Sequence, residues 1–285
     1  MPGESLEEAL DAARSLREEA LPAVLTHLGE SVTDASAVRA VEEEYLRALE
    51  AIREGGHDVE LSVKPTQFGF DLDLDLCRQA VGRVLERARG EGLMLWIDME
   101  GSATVEDTLA LYRALRAEGP GVGICLQAYL HRTPADLEEL LAVGPAVRLV
   151  KGAYREPPSV ALQKPAEVDA AYLRIGRRLL EAEAGDPRTR AVFGTHDLEL
   201  IEALAAVARE VGDDRGAPEC HLLYGIRAAD QRALVRAGRR VRVLISYGEA
   251  WYPWYMRRLA ERPANLAFAL RALLTPERQP PSRET

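Results

Sequence analysis

The sequence predicts an α/β fold: a (βα)8 TIM barrel with an extra helix before its first strand and a capping helix at its C-terminal end. Three observations carry this expectation. Eight short apolar runs of strand length alternate with stretches of helical periodicity, no antiparallel hairpin signal joins any two of them, and 285 residues suit one barrel. The whole chain, 1–285, is therefore expected to form a single barrel domain.

The first helix begins at Ser5, which with Glu8 has the spacing of a capping box, and Leu6, Ala9, Leu10, Ala13 and Leu16 share one face. Strand one is expected over Ala23 to Leu28. A long helix follows from Thr33 to Arg53, with Val38, Val41, Tyr45, Leu49 and Ile52 inward and Gly55-Gly56 ending it. Strand two, Val59 to Val63, runs out at Lys64-Pro65, and its helix spans Leu72 to Arg89. Strand three, Leu93 to Ile97, ends in Asp98-Met99-Glu100, and Thr104 with Asp107 reads as a cap for the helix to Ala117.

Strand four is Gly121 to Ala128, followed by Thr133-Pro134, an N-cap and first-turn proline for a short helix to Leu141. Strand five ends in Arg148-Leu149-Val150-Lys151-Gly152-Ala153-Tyr154. A cation followed by two nearly side-chain-free residues lets a ligand approach the backbone, so this is a ligand-facing strand end, and a side chain at Gly152 is expected to exclude the ligand. The longest connection, Arg155 to Pro165, carries three prolines and is a candidate lid or ligand-contacting segment before the helix to Ala184. Strand six is Thr189 to Phe193, with Asp197 placed to cap the helix to Arg209. Strand seven, Glu219 to Tyr224, the helix Ala228 to Ala237, strand eight, Val241 to Ser246, and a last helix from Trp251 complete the chain.

Composition narrows the function. The formal charge is −10 with 36 basic and 46 acidic residues, and no basic run is long or aromatic-laced enough to follow a phosphate backbone, so nucleic acid is not an expected partner. Cys77, Cys125 and Cys220 stand far apart, with no paired spacing and no histidine at metal-ligand distance, which argues against a disulfide framework or a metal site. The N-terminus lacks a signal peptide and no run of 18 apolar residues occurs. The expectation is a cytoplasmic chain, at most peripheral at the inner face of the cell membrane.

In such a barrel the C-terminal strand ends form the active face, and the polar residues there are Lys64, Asp98, Gln127, Arg148, Lys151, Thr195, His196 and Tyr224. The final helix adds an independent signal. Trp254, Arg257, Arg258 and Glu261 stand at i, i+3, i+4 and i+7, the stripe that usually faces a core, and two guanidiniums on such a stripe imply an anion. A solvated face with an Arg257–Glu261 pair is the plainer alternative for that helix.

Taken in order, Lys64, Asp98-Met99-Glu100, Gln127-Ala128-Tyr129, RLVKGAY, Thr195-His196-Asp197 and YGEAWYPWYMRRLAERPANL resemble the bacterial monofunctional proline dehydrogenases. The resemblance spans nearly the whole chain. It implies a distorted barrel, non-covalent FAD, L-proline as substrate, Δ1-pyrroline-5-carboxylate as product and a membrane quinone as electron acceptor. By the same resemblance Lys64, Arg257 and Arg258 clamp the proline carboxylate, with Glu261 beside them, and Asp98 and Arg148 are active-site residues. Met99, Gln127, Lys151, Gly152, Ala153, Thr195 and His196 match flavin-contacting positions, and Tyr154 and Leu223 would wall the ring methylenes. A cation near the flavin, from Arg148 or Lys151, would stabilise a reduced anionic ring.

The chain departs from the pattern at Leu244, where a tyrosine is usual, at Trp254, and at His221, where glutamine is expected. It also carries less helix before strand one than is usual in the family, which suggests a shortened N-terminus. Two other functions fit part of the sequence: a Schiff-base aldolase-type barrel using Lys64 or Lys151, and a non-catalytic amino-acid-binding barrel.

Overall fold

In the computed structural model, residues 1–29, 32–212 and 218–251 are described. The last-helix features expected from the sequence, Trp254, Arg257, Arg258 and Glu261, lie outside them. The strands are β1 (Ala23–His27), β2 (Val59–Val63), β3 (Leu95–Ile97), β4 (Val122–Gln127), β5 (Ala146–Val150), β6 (Arg190–Gly194), β7 (Glu219–Leu223) and β8 (Arg240–Tyr247). Each pairs in parallel with the next, and β8 pairs with β1 from Ala23↔Val243 to His27↔Tyr247, so the sheet closes on itself. The helices are α1 (Leu6–Glu18), α2 (Ala35–Gly55), α3 (Leu74–Gly90), α4 (Val105–Ala117), α5 (Thr133–Leu141), α6 (Pro165–Gly185), α7 (Leu198–Glu210) and α8 (Ala228–Arg236).

Alternation along each strand divides the two faces. Leu25, Leu61, Leu149, Phe193, Val243 and Ile245 belong to the large core that the helices cover. Val24, Trp96, Ala146 and Val192 form a separate small cluster, with Met94 and Leu244 against it. Gly123 makes room for Trp96: a Cβ there would lie 2.5 Å from the indole.

The inward residues at the starts of β2, β6, β7 and β8 are charged. Arg190 reaches Glu60 at 2.8 Å and Glu219 at 2.5 Å, and Arg242 lies 3.3 and 3.4 Å from the same two carboxylates. Trp96 Nε1 donates to Glu60 at 2.6 Å. Buried carboxylates and guanidiniums are tolerable only when paired in this way, and the resulting floor places the empty part of the barrel interior at the other end.

Most local expectations hold. The Ser5–Glu8 capping box forms, Gly56 closes α2 in the left-handed region at φ +57°, and Asp197 caps α7 by accepting from the Leu200 amide. Two caps do not. Thr104 Oγ1 donates to the Gly101 carbonyl and Thr133 Oγ1 to the Gln127 carbonyl, so neither hydroxyl accepts from its helix. Both hydroxyls instead satisfy carbonyls of the turns that lead in. Helix α3 starts at Leu74 rather than Leu72, because Pro65–Phe68 forms a 3-10 turn and Asp73 takes the cap. Val41 is only partly buried; its neighbour Glu42 is buried and bonded to Arg83 at 2.5 and 2.7 Å.

Candidate active site

A cavity of about 430 Å3 opens at the C-terminal ends of the strands. Its size falls in the range of small-molecule sites. Of the strand-end polar residues named from the sequence, all but Tyr224 line it. Lys64 stands at the end of β2, Asp98 and Met99 follow β3, and Gln127 ends β4. Arg148, Lys151, Gly152, Ala153 and Tyr154 come from β5 and its exit, and Thr195, His196 and Leu223 from the ends of β6 and β7. The sequence reading did not single out Thr26, Cys125 or Ser246, which also line it. Strand alternation was the available signal, since each stands two residues from another inward position, as Cys125 does from Gln127.

Arg148 and Asp98 form the polar centre. Arg148 Nη2 donates to Asp98 Oδ1 and, at 2.8 Å, to Ser62 Oγ, which itself donates to Asp98 Oδ1 at 3.0 Å. Burial opposes the charge on Arg148, but Asp98, with Cys125 and Glu60 adding to it, outweighs burial, so the guanidinium is held as a cation. Its carbon lies 5.2 Å from the centre of the Trp96 ring, with Arg190 at 5.4 Å, so one indole separates the site from the charged floor. Arg148 Nη1 is buried and has no hydrogen-bond partner among the described residues.

Lys64 is 6% exposed and forms no ion pair with a described residue. Lys151 is different. Its ammonium sits 2.6 Å from Asp169 and 3.0 Å from Asp197, and these carboxylates raise its pKa against the opposing effect of burial. A lysine held charged in this way is a poor amine nucleophile, which removes it from the Schiff-base reading, and its charge is largely offset.

Another part of the cavity wall is built from backbone and amide groups. Gln127 Nε2 donates to the Met99 and Glu100 carbonyls at 3.1 Å each, while its buried Oε1 is an acceptor with no partner among the described residues. Thr195 Oγ1 accepts from the Asp197 amide at 3.1 Å. His196 Nε2 accepts from the Leu223 amide at 3.0 Å, and burial followed by Arg227 lowers its pKa to about 4. The ring is therefore neutral, with its proton on Nδ1.

Gly152 requires a correction. Its φ is +118° and a Cβ would lie 2.2 Å from the Tyr129 ring, so the first body a side chain meets is the protein's own tyrosine and not a ligand. The Arg155–Pro165 connection is also tied down. Leu130 bridges to Ala161, Leu162 donates to the Tyr129 carbonyl at 2.8 Å, and the Glu156 carboxylate accepts from Ser102 N and Oγ at 2.7 and 2.6 Å. These contacts join the stretch to the β4 exit and to Ser102.

A closed barrel with a polar cavity at its C-terminal mouth is the architecture of the barrel enzymes. Comparison with known proteins narrows the class: residues 9–271 match the proline dehydrogenase family, and the chain belongs to that family. It is 35% identical over 272 residues to proline dehydrogenase 2 of Bacillus subtilis, covering 95% of this chain and 88% of the relative. It is 34% identical to the proline dehydrogenase of Deinococcus radiodurans, with the same coverages. Among solved structures, proline utilization A from Bdellovibrio bacteriovorus superposes with a TM-score of 0.80 at 23% identity over 88% of this chain. A variant of the Bradyrhizobium japonicum protein superposes with a TM-score of 0.74 over 95%. This chain spans only 30% and 31% of those two longer chains.

Proposed function

We propose that the chain oxidises L-proline to Δ1-pyrroline-5-carboxylate with non-covalently bound FAD, and that the electrons pass on to a quinone. The observation that carries the reading is Lys64, a buried cation facing the cavity with no carboxylate partner among the described residues. Proline's one permanent anionic handle is its carboxylate, which an ammonium in a poorly hydrated site holds strongly. Arg257 and Arg258 would complete the clamp, with Glu261 balancing them, as the family resemblance implies.

The residues present suit the cofactor. Gln127 Oε1 and Arg148 Nη1 are a buried acceptor and donor without partners among the described residues, and a flavin edge offers the opposite of each. Gly152 and Ala153 bring backbone to the cavity without bulk, and Met99, Lys151, Thr195 and His196 stand around it. Bound flavin would accept two electrons as a hydride from the proline ring carbon next to nitrogen.

The chain's own groups do the rest. Asp98, its Oδ1 engaged by Arg148 and Ser62, would meet the proline amine through Oδ2 and orient it. Tyr154 and Leu223 wall the cavity where the ring methylenes would lie. Arg148 keeps a permanent positive charge in a low-dielectric site, which favours the electron-rich reduced cofactor. Among the described residues no helix is long and apolar enough to cross a membrane, so a quinone would be reached by peripheral contact.

The test is an absorbance spectrum of the purified full chain before and after anaerobic addition of proline. Flavin bands that bleach with proline are expected. A colourless protein that takes up no added FAD, or bands unchanged by proline, would refute the proposal and favour the binding-barrel alternative.

A further inference from the structure

We infer that His221 is a positioning residue for the bound flavin: an uncharged hydrogen-bond acceptor at the cavity floor, whose tautomer is dictated from beneath by Glu219. This rests on the flavin reading above. The His221 side chain is 2% exposed and lines the cavity. Its Nε2 lies 3.2 Å from Glu219 Oε1. Glu219 is bound at both oxygens by Arg190, at 2.5 and 3.1 Å, with Arg242 3.4 Å away. A carboxylate held by two guanidiniums stays ionised and can only accept, so the imidazole must place its proton on Nε2.

Nδ1 is therefore a bare lone pair. It is buried and has no partner among the described residues. The ring cannot swing to find one, because it stands edge-on to Trp96 at 5.4 Å and 79°, and Trp96 is itself anchored to Glu60. Protonation would not relieve it either: burial disfavours the cation and Arg148 repels it. An acceptor fixed in this way implies that a donor arrives with the ligand, and FAD carries both a ring N–H and ribityl hydroxyls. The charged floor thus acts on the cofactor through one imidazole.

Three substitutions separate the two nitrogens. His221→Asn keeps an oxygen near the Nδ1 position but is too short for Glu219; His221→Gln reaches Glu219 but presents nothing at Nδ1; His221→Phe keeps the ring and neither polar atom. FAD is titrated into flavin-stripped full-length protein by fluorescence quenching, with circular dichroism confirming the fold. The dissociation constant is expected to rise about three- to tenfold in His221→Phe and His221→Gln and to stay within about twofold of the parent in His221→Asn.

Equal FAD affinity in His221→Phe and the parent overturns the inference. If His221→Phe does not fold, equal affinities in the Asn and Gln variants overturn it. A parent protein that binds no FAD instead defeats the reading beneath it.

Discussion

Lys64 and His196 show how differently two polar residues of one cavity are held. Lys64 has no anionic partner among the described residues, so its contribution should surface only when a carboxylate arrives. Lys64→Met removes a charge-assisted hydrogen bond of about 1.5–3 kcal/mol, and kcat/KM for proline should fall about ten- to hundredfold, mostly through KM. Flavin content should not change; a KM equal to the parent's would take Lys64 out of the clamp. His196 is already satisfied by the Leu223 amide and kept neutral by burial. With a folded pKa of about 4 against 6.5 when unfolded, the unfolded chain binds more protons between those values. Stability therefore declines as pH falls from 6.5 toward 4. Urea midpoints at pH 7 and pH 5 should converge more closely in His196→Asn than in the parent protein, and equal slopes would exclude His196 as a source of the decline.

At the scale of elements, the exits of β4 and β5 form one unit. The Tyr129 amide donates to the Lys151 carbonyl at 3.0 Å, Tyr129 OH donates to the Tyr154 carbonyl at 3.2 Å, and the Tyr129 ring occupies the space over Gly152. The left-handed backbone at Gly152 and this ring both reject a Cβ, so Gly152→Ala should cost about 1–3 kcal/mol of stability. Its thermal midpoint should fall even in flavin-free protein. A flavin-free midpoint equal to the parent's, accompanied by lost FAD binding, would restore direct exclusion of the cofactor as the reason for glycine. The β5–α6 connection gains its shape from outside itself, through Ala161 on Leu130 and Glu156 on Ser102. Its three prolines mark an irregular path but do not say which neighbours receive it.

For the whole molecule, closure of β8 on β1 makes the cavity a shared product of the strands, so ligand binding should stabilise the entire barrel. At FAD concentrations about a hundredfold above its dissociation constant the gain is about 2.7 kcal/mol, enough to raise the melting midpoint by several degrees. Differential scanning fluorimetry with and without FAD measures this, and coincident curves would contradict the proposed cofactor.

The repeating strand and helix pattern determined the barrel, because the 2.0- and 3.6-residue periods are local properties of the chain. It also located most of the residues that line the cavity, since inward polar groups at or just inside the strand ends, such as Lys64, Asp98 and Arg148, face the C-terminal mouth. The floor was not legible. Glu60, Arg190, Glu219 and Arg242 each sit in a strand that could face solvent, and only closure brings four strands close enough for the charges to neutralise one another. The same holds for Gly152 and His221. A glycine next to a lysine and a histidine in an apolar strand are ordinary in sequence, whereas the Tyr129 ring and the Glu219 carboxylate that give them meaning are fixed by packing and by register between strands.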